Sequence, residues 1–355
     1  MQLFTPEGHE QVVLAQDAAS GLRCIIAIAS TALGPALGGT RFFAYPDDEA
    51  ALADALRLSR AMALKNAVAG LPAGGGKAVV LGDPRLDKTE ALLLAYGRVV
   101  ATLGGRYVTA CDVGTTVADM DVVARTNPWT TGRSRELGGA GDSGELTALG
   151  VHAALRAAVA ARLGAASLED IRVAVSGLGK VGHRLVGHLV TDGAVVLCGD
   201  IDAGAVARTR AAYPSVSVLP VDALVTADVD VFSPNALGGA LTPAVAAALR
   251  ARLVCGGANN QLADPAVDRQ LADRGVLWCP DVVVNAGGVV AVADEGFGAG
   301  GYDDERARER VLRIGDTLRS VLAAAAAAGT TAGAAAVRLG EERIAAAARD
   351  TGERL

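Results

Sequence analysis

The 355-residue sequence predicts an α/β protein made of two doubly wound domains. Short apolar segments typical of strands alternate with segments whose apolar residues have helical spacing, as in Leu52, Leu56 and Ala63. The alternation starts again with a new apolar strand at 172–176. The chain is also longer than one hydrophobic core usually supports. We therefore expect two mostly parallel sheets, each with helices on both faces.

The first half is predicted to open with an antiparallel hairpin, in which 12–16 and 24–29 are joined by a turn at 17–21. A helix then begins at Asp47 and Asp48 and runs to about Lys65. The other elements predicted in this half are a strand at 77–81, a helix opening at Asp87 and Glu90 and ending near Leu103, a strand at 106–110, and a helix capped by Thr116 and Asp119.

Composition excludes several classes of function. The net charge of −6 is spread along the chain, so neither a nucleic acid nor a membrane surface is an expected partner. The five cysteines are widely spaced, which predicts core thiols and neither a disulfide framework nor a metal site. We see no secretion signal and no long apolar span free of charge or glycine. A cytoplasmic protein is expected.

A glycine motif in the second half points to a dinucleotide. Gly177, Gly179 and Gly182 form G-x-G-x-x-G between an apolar strand and a helical pattern. This spacing permits a tight turn, brings backbone N–H groups to a pyrophosphate and packs the helix on the strand. Lys180 and Val181 of the same turn are included among the predicted cofactor-binding residues.

The strand predicted at 194–198 delivers Asp200 to the same place. A carboxylate there accepts hydrogen bonds from both ribose hydroxyls and repels a 2′-phosphate, which favours NAD over NADP. Asp202 is close enough to share this role.

The glycine-rich segment 138–141 separates the two halves and sets the predicted domains. We expect a substrate-binding and catalytic domain at 1–133 and a Rossmann domain at 134–328. A helix from about Asp304 to Ala328 leads back, so that residues 329–355 pack on the first domain.

The first domain contributes two lysines and one aspartate. Lys65 lies near a helix end, Lys77 follows the three glycines 74–76, and Asp112 follows a strand. One ammonium can fix a carboxylate, a second amine can polarise a carbonyl, and a carboxylate can move protons on nitrogen, which suits an α-keto or α-amino acid. The glycines then read as a loop that brings the backbone close to substrate. A solvated lysine, a turn aspartate and a flexible loop are the alternatives.

Long segments in the same order then point to a family. They are ALGPALGGTRF (33–43), LPAGGGKAVV (71–80), GGRYVTACDVGTTVADMD (104–121), TTGR (130–133), GGAGDS (138–143), GANNQLA (257–263) and PDVVVNAGGVVAVADE (280–295). Together they closely resemble the leucine, valine and phenylalanine dehydrogenases of the glutamate dehydrogenase superfamily, the branched-chain members most of all. The resemblance covers almost the whole chain.

The resemblance implies reversible oxidative deamination, in which an L-amino acid, NAD⁺ and water give a 2-oxo acid, ammonia and NADH in a cleft between the two domains. It implies that Lys65 binds the substrate carboxylate with the backbone of Gly38 and Gly39. Lys77 would polarise the carbonyl and activate water, and Asp112 would be the acid/base toward the amino group.

The same resemblance implies cofactor contacts in the second domain. Thr147 would hold the nicotinamide carboxamide, and Asn259 would lie near both the nicotinamide and the substrate amine. Ala236 and Asn285 are further predicted cofactor-binding residues. Asn235 departs from the family pattern, which usually has cysteine there, and is expected to alter NAD affinity. Asp119 and Asp121 are interpreted as helix caps.

The substrate side chain is expected to contact Leu37, Ala110, Val289 and Val292, again by resemblance. All four are aliphatic, which suits valine, isoleucine or leucine and leaves these three unranked, since one methylene changes discrimination by only about 1–3 kcal/mol. Packing of Val289 and Val292 in a helix core is the structural alternative.

Other functions stay open. A phenylalanine dehydrogenase is the alternative within the family, and an NAD-binding regulatory protein without turnover is the alternative outside it. A 2-hydroxy acid dehydrogenase fits less well, because none of His9, His152, His183 and His188 lies in a loop typical of a catalytic base. The family implies a homo-oligomer, and no metal is expected.

Overall fold

The computed structural model describes residues 8–352, which form two compact units. The first unit contains 8–143, 289–307 and 340–352, and the second contains 144–288 and 308–339. The predicted domain boundaries, at 133/134 and 328/329, stay predictions. The ends of the predicted ranges, 1–7 and 353–355, lie outside the described residues.

The first unit is built on a five-stranded mixed sheet. Its strands are β1 (Gln11–Asp17), β2 (Leu22–Ser30), β3 (Ala36–Phe43), β4 (Gly74–Leu81) and β5 (Tyr107–Cys111). They lie in the order β1-β2-β4-β3-β5. The predicted hairpin is confirmed, since β1 and β2 pair antiparallel, and β2 also pairs antiparallel with β4. Strands β3, β4 and β5 are parallel.

Helices cover both faces of this sheet. They are α1 (Asp48–Val68), α2 (Glu90–Ala101) and α3 (Val117–Ala124). Ala51 and Ala55 of α1 pack with Ile25 and Val79 on one face. The other face buries a larger core against α2 and α3, which includes Tyr96. The doubly wound arrangement expected from the sequence is therefore present.

Helix starts follow the side chains that cap them. Asp47 accepts a hydrogen bond from the N–H of Ala50 and begins α1, and Thr116 and Asp119 form a capping box at α3, as predicted. The predicted start of α2 is wrong by a few residues. Asp87 instead accepts from the N–H of Asp83 in the preceding loop, and Thr89 caps the helix. Asp121 is not a cap, because it accepts from the N–H of Ser134.

The second unit contains a six-stranded parallel sheet. Its strands are β6 (Arg172–Ser176), β7 (Val195–Gly199), β8 (Ser217–Val218), β9 (Val231–Pro234), β10 (Leu253–Val254) and β11 (Leu277–Trp278). The order β11-β10-β9-β6-β7-β8 is the dinucleotide-binding order, in which the chain reverses direction across the sheet between β6 and β9.

Helices also flank this sheet. They are α4 (Gly144–Leu163), α5 (Lys180–Thr191), α6 (Ala203–Ala212), α7 (Val221–Thr226), α8 (Pro243–Ala248), α9 (Ala266–Asp273) and α10 (Asp281–Val284). Within residues 8–352, α4 has by itself the length and hydropathy of a membrane span. More than half of its most apolar window is buried inside the protein, which is typical of a core helix.

The C-terminal part is helical. Its helices are α11 (Gly287–Phe297), α12 (Asp304–Leu312), α13 (Ile314–Ala328) and α14 (Ala332–Gly352). The single helix predicted from Asp304 to Ala328 is therefore wrong. The N–H of Arg313 donates to the carbonyl of Arg310, and this tightened turn separates α12 from α13. Arg343 donates to the carbonyls of Ala67 and Val68 at the end of α1, within the first unit.

Candidate active site

Lys77 lies in the middle of β4 with its side chain buried. The residue is 5% exposed, although lysine is almost never buried without a partner. Gly75 and Val79, two positions away on either side, face helix α1, so the alternation of a strand directs Lys77 to the same face. The predicted strand 77–81 begins three residues too late, since β4 starts at Gly74.

The three glycines before Lys77 belong to this strand, which corrects their interpretation as a loop over the substrate. A Cβ on Gly75 would lie 2.1 Å from the backbone nitrogen of Ala63 in α1. A Cβ on Gly74 would lie 2.0 Å from the carbonyl oxygen of Ser30, and one on Gly76 would lie 2.7 Å from the ring of Tyr107. The glycines therefore let β4 pack directly against its neighbours, and this packing holds Lys77 in place.

Asp112 is the partner of Lys77. It directly follows β5, at the carboxyl end of the parallel strands where ligands bind in open α/β sheets. The Nζ atom of Lys77 donates to Oδ2 of Asp112 at 2.5 Å. Gly39 of β3 makes this approach possible, because a Cβ there would lie 2.9 Å from Cβ of Asp112. The structure thus brings together the two residues predicted to be catalytic.

Burial and charge act in opposite directions on this pair. Burial lowers the pKa of Lys77, and the Asp112 carboxylate only partly restores it. Burial alone would raise the pKa of Asp112, but the adjacent Lys77 and Arg41 cations outweigh it and keep that pKa below its usual value. Asp112 is therefore ionised near neutral pH, and Lys77 loses its proton more easily than an exposed lysine does.

Arg41 is a residue that the sequence analysis missed. Its Nε donates to Oδ2 of Asp112 at 3.1 Å, and its Nη1 donates to Asp54 at 2.9 Å. Tyr45 also donates to Asp54, at 2.7 Å. Arg41 therefore connects the site to a second carboxylate on α1. The available signal was its place at the end of the GGTR segment, where β3 carries it to the same edge of the sheet as Asp112.

The remaining residues predicted for substrate binding also lie in the first unit, except Asn259, which lies in the second. Lys65 is half-buried in the last turn of α1. The backbone of β3 supplies Gly38, whose carbonyl accepts from the Tyr107 hydroxyl at 2.7 Å. The aliphatic positions are Leu37 on β3, Ala110 on β5 and Val289 and Val292 on α11, and all but the half-buried Val292 are buried.

The G-x-G-x-x-G turn of the second unit has the geometry that a pyrophosphate requires. Gly177 has a φ of +97°, and a Cβ on Gly182 would lie 1.9 Å from the Gly177 carbonyl oxygen. Gly179 caps the start of α5, and a Cβ there would have nothing within 4 Å. The backbone is thus packed tightly on one side and open at the helix N-terminus, where an anion binds. These residues fit a dinucleotide, together with Lys180 and Val181 in the first turn of α5.

Asp200 lies where the sequence predicts it, directly after β7. Its Oδ2 accepts from the N–H of Leu178 at 2.6 Å, so the carboxylate also holds the glycine turn. Asp202 caps α6, because its Oδ1 accepts from the N–H of Gly204. Asp200 is the carboxylate that contacts the glycine turn, and the contact of either carboxylate with a ribose stays a prediction.

A group of amides lies beyond β9 and β10. Asn285 donates to Oδ1 of Asn259 at 2.9 Å, and its own Oδ1 is buried without a hydrogen-bond partner among residues 8–352. Asn235 accepts from the N–H of Gly257 at 2.8 Å, so this departure from the family pattern joins two loops of the unit. Ala236 lies against Gly177. Thr147 is in the first turn of α4.

The described part of the chain contains no group of three or more His, Cys, Asp or Glu side chains that could hold a metal. His152 pairs with Asp192, and His183 contacts Thr209, both within the second unit. His9 contacts Ser59 of α1. In the hydrogen bonds found among residues 8–352, these imidazole rings contact neither the Lys77–Asp112 pair nor the side of the glycine turn that would face a ligand.

A dinucleotide-binding unit and a unit with a buried lysine–aspartate pair together define a dinucleotide-dependent dehydrogenase. The family described as "Glu/Leu/Phe/Val dehydrogenase, dimerisation domain" matches residues 8–128, and "Glutamate/Leucine/Phenylalanine/Valine dehydrogenase" matches 201–352. The chain belongs to this family of amino acid dehydrogenases, which are NAD(P)-dependent oxidoreductases acting on CH–NH₂ groups.

Individual relatives agree with the family. The chain is 55% identical to a valine dehydrogenase of Streptomyces albus over 96% of this chain and 93% of that protein. It is 45% identical to a leucine dehydrogenase of Geobacillus stearothermophilus over 95% of this chain and 90% of that one. A crystal structure of L-tryptophan dehydrogenase from Nostoc punctiforme matches with a TM-score of 0.85 and 39% identity, covering 97% of this chain and 98% of that chain.

Proposed function

We propose that the protein catalyses the reversible oxidative deamination of a branched-chain L-amino acid with NAD⁺. The amino acid, NAD⁺ and water give the 2-oxo acid, ammonia, NADH and a proton. The observation that carries the proposal is the buried ion pair between Lys77 and Asp112 at 2.5 Å, in a chain of this family. A regulatory protein that only binds a dinucleotide has no need of such a pair.

The proposed roles follow from charge and position. The substrate carboxylate binds Lys65 and the backbone of Gly38 and Gly39. Asp112, ionised in the resting site, accepts a proton from the substrate ammonium at Oδ2. Lys77 in its neutral form takes a proton at Nζ from the water that attacks the reacting carbon, and burial favours that form by lowering the pKa of Lys77. NAD⁺ held by the turn at Gly177, Gly179 and Gly182 would supply the hydride acceptor for this carbon, before water attacks it.

The proposed substrate side chain is aliphatic. Leu37, Ala110, Val289 and Val292 present only hydrocarbon, which favours valine, leucine and isoleucine over polar amino acids. A smaller residue at one or two of these positions is what an aromatic ring would require. Relatives named valine and leucine dehydrogenase support this choice, and phenylalanine is the alternative.

The proposed cofactor is NAD, and Asp200 is the reason. A ribose carrying two hydroxyls can donate to its carboxylate, whereas the 2′-phosphate of NADP places negative charge against it. Each carboxylate oxygen accepts one backbone hydrogen bond, from Leu178 or Asp202, and still has acceptor capacity for a ribose hydroxyl.

One kinetic panel tests the proposal. We expect NADH formation with valine, leucine and isoleucine, little with phenylalanine, and at least tenfold lower kcat/KM with NADP⁺ than with NAD⁺. Activity mainly with phenylalanine would identify a phenylalanine dehydrogenase. Activity with 2-hydroxyisovalerate but with no amino acid would identify a 2-hydroxy acid dehydrogenase. Tight NADH binding without any turnover would identify a regulatory protein.

Replacement of Arg41 by glutamine is expected to shift the pH profile. Arg41 lowers the pKa of both Lys77 and Asp112. Removing this cation makes both groups easier to protonate, so both pKa values rise. Because the neutral Lys77 is the proposed base, the rising limb of kcat/KM against pH moves to higher pH, and activity at neutral pH falls.

The control for this variant is Arg57→Gln. Arg57 also pairs with Asp54, at 2.7 Å, and its side chain is more exposed than that of Arg41. The hydrogen bonds found in 8–352 include none between Arg57 and Asp112. Its pH profile should superimpose on that of the wild type. An Arg41→Gln profile that is unchanged or moves to lower pH contradicts the proposed base.

We further propose a cytoplasmic homo-oligomer that acts on small molecules. The matching family region carries the description "dimerisation domain", and a hetero-hexameric glutamate dehydrogenase from Thermus thermophilus has a similar structure, with a TM-score of 0.80 and 25% identity. The five cysteines are all free thiols, which agrees with a reducing compartment.

A further inference from the structure

A buried carboxylate outside the proposed catalytic pair lies on the helix that carries Val289 and Val292. Glu295 of α11 has a side chain that is only 1% exposed. Its Oε2 accepts from the N–H groups of Gly132 at 2.8 Å and Ala140 at 2.9 Å. Its Oε1 accepts from Nε of Arg133 at 2.9 Å. A single carboxylate thus holds two turns of the segment 130–141, which is far from α11 in sequence.

That segment runs along β5, where Ala110 lies. The N–H of Thr131 donates to the carbonyl of Thr109 at 2.8 Å, and the N–H of Thr109 donates to the carbonyl of Trp129 at 3.0 Å. Gly132 then turns away with a φ of +72°. The segment is therefore an extension of the sheet beside the aliphatic residue of β5.

Helix α11 packs directly on this extension. A Cβ built on Gly132 would lie 3.8 Å from Cγ1 of Val292, and one on Gly296 would lie 3.0 Å from Cγ2 of Thr131. Val292 is three residues before Glu295, so the two share one face of the helix. The Glu295 carboxylate therefore joins the helix face that carries Val292 to the segment that extends the sheet beside Ala110.

We propose that Glu295 is a positioning residue that sets the width of the substrate side-chain site by joining α11 to the segment 130–141. This proposal rests on the proposed function, since it assigns the aliphatic residues to substrate. Glu295 contacts no reacting group in this proposal. It acts through Val292 and so affects the choice between amino acids more than the chemical step.

The test is Glu295→Gln. Glutamine keeps the volume but presents an N–H₂ group to either the two backbone N–H donors or the Arg133 guanidinium. Because two donors cannot form a hydrogen bond with each other, we expect α11 and the segment 130–141 to move apart. We expect kcat/KM for valine relative to norleucine and phenylalanine to fall roughly tenfold, at the lower end of what one methylene controls. KM for valine should rise while kcat changes less, and the Kd for NADH should stay the same.

The matched control is Asp294→Asn on the same helix. Asp294 is also buried and also pairs with an arginine, accepting from Arg306 at 2.5 and 2.7 Å, but it holds the segment after the helix through the N–H of Asp303. In this variant, kcat/KM for valine relative to norleucine and phenylalanine should remain that of the wild type. Equal changes in both variants would mean that α11 has loosened generally, which would overturn the proposal.

A milder variant tests the proposal if Glu295→Gln does not fold. Arg133→Met removes the half-exposed charge partner and leaves both backbone hydrogen bonds to Glu295. The kcat/KM for valine relative to norleucine and phenylalanine should fall as in Glu295→Gln, but by a smaller factor. An unchanged ratio would reject the positioning role. A wild-type protein inactive with every aliphatic amino acid would reject the proposed function instead, whereas an active wild type with unshifted variants would reject only this inference.

Discussion

Replacement of Lys77 by alanine is expected to lower kcat roughly 10²- to 10⁴-fold, the range that a positioned acid or base contributes. The variant lacks the Nζ that contacts Asp112 at 2.5 Å and that takes the proton from water in the proposed reaction. Its fold should persist, because Asp112 keeps the Arg41 guanidinium as a partner. Affinity for NADH should also persist, since the glycine turn belongs to the other unit. Steady-state kinetics and fluorescence titration with NADH measure the two effects.

The control is Lys88→Ala. Lys88 also forms an ion pair with an aspartate, at 2.7 Å to Asp119, and lies in the same unit. Its Nζ contacts Asp119 and the carbonyl of Gly114, and its hydrogen bonds in 8–352 include neither Lys77 nor Asp112. Its loss removes the same charge from a lysine–aspartate pair, so kcat should stay near the wild-type value. A Lys77→Ala enzyme with kcat within tenfold of the wild type would remove Lys77 from the chemistry.

Replacement of Gly75 by alanine is expected to destabilise the first unit by at least ~3 kcal/mol, at the upper end of what overpacking costs. The new Cβ would lie 2.1 to 2.4 Å from three atoms of Ala63, two of them backbone atoms of α1 that no rotamer change can move. Strand and helix must separate, and Lys77 is two residues along the same strand. The free energy of unfolding from denaturant titration, together with kcat, measures the effect.

Gly21→Ala provides the comparison. Gly21 lies in the hairpin turn with a φ of +75°, and a Cβ there would have nothing within 4 Å. Alanine at this position bears only the strain of a left-handed backbone, about 1–2 kcal/mol. If both variants unfold at the same denaturant concentration, close packing of Gly75 is not what the site requires.

Local patterns in the sequence predicted most of the fold. The hairpin, α1, the capping box of α3 and the strand–turn–helix around Gly177 each depend on residues within a few positions of one another. Errors arose where two local signals compete. Asp87 and Thr89 both resemble caps, and only the structure shows that Asp87 closes the preceding loop instead.

The candidate site was predictable only in part. Lys77, Asp112 and Asp200 stand beside strands and glycines, and motif spacing indicates them. The role of the glycines 74–76 depends on how closely α1 and the neighbouring strands approach, which is a tertiary distance. Arg41 and Glu295 were missed for a related reason. Their partners are distant in sequence, so the GGTR segment placed Arg41 on β3 without indicating its contact with Asp112, and no local pattern indicated the contacts of Glu295.

The sheet order has a consequence for how the chain acquires activity. Lys77 on β4 and Asp112 after β5 are separated by β3, so their side chains meet across a strand that pairs with both. The pairing of β3 with β5 joins residues far apart in sequence, and we expect such contacts to form late because loop closure costs entropy. In a nascent or partly assembled chain, therefore, Asp112 does not yet lie beside Lys77, and the pKa of Lys77 is not yet lowered by burial. Catalytic competence should arise only with the final ordering of this sheet.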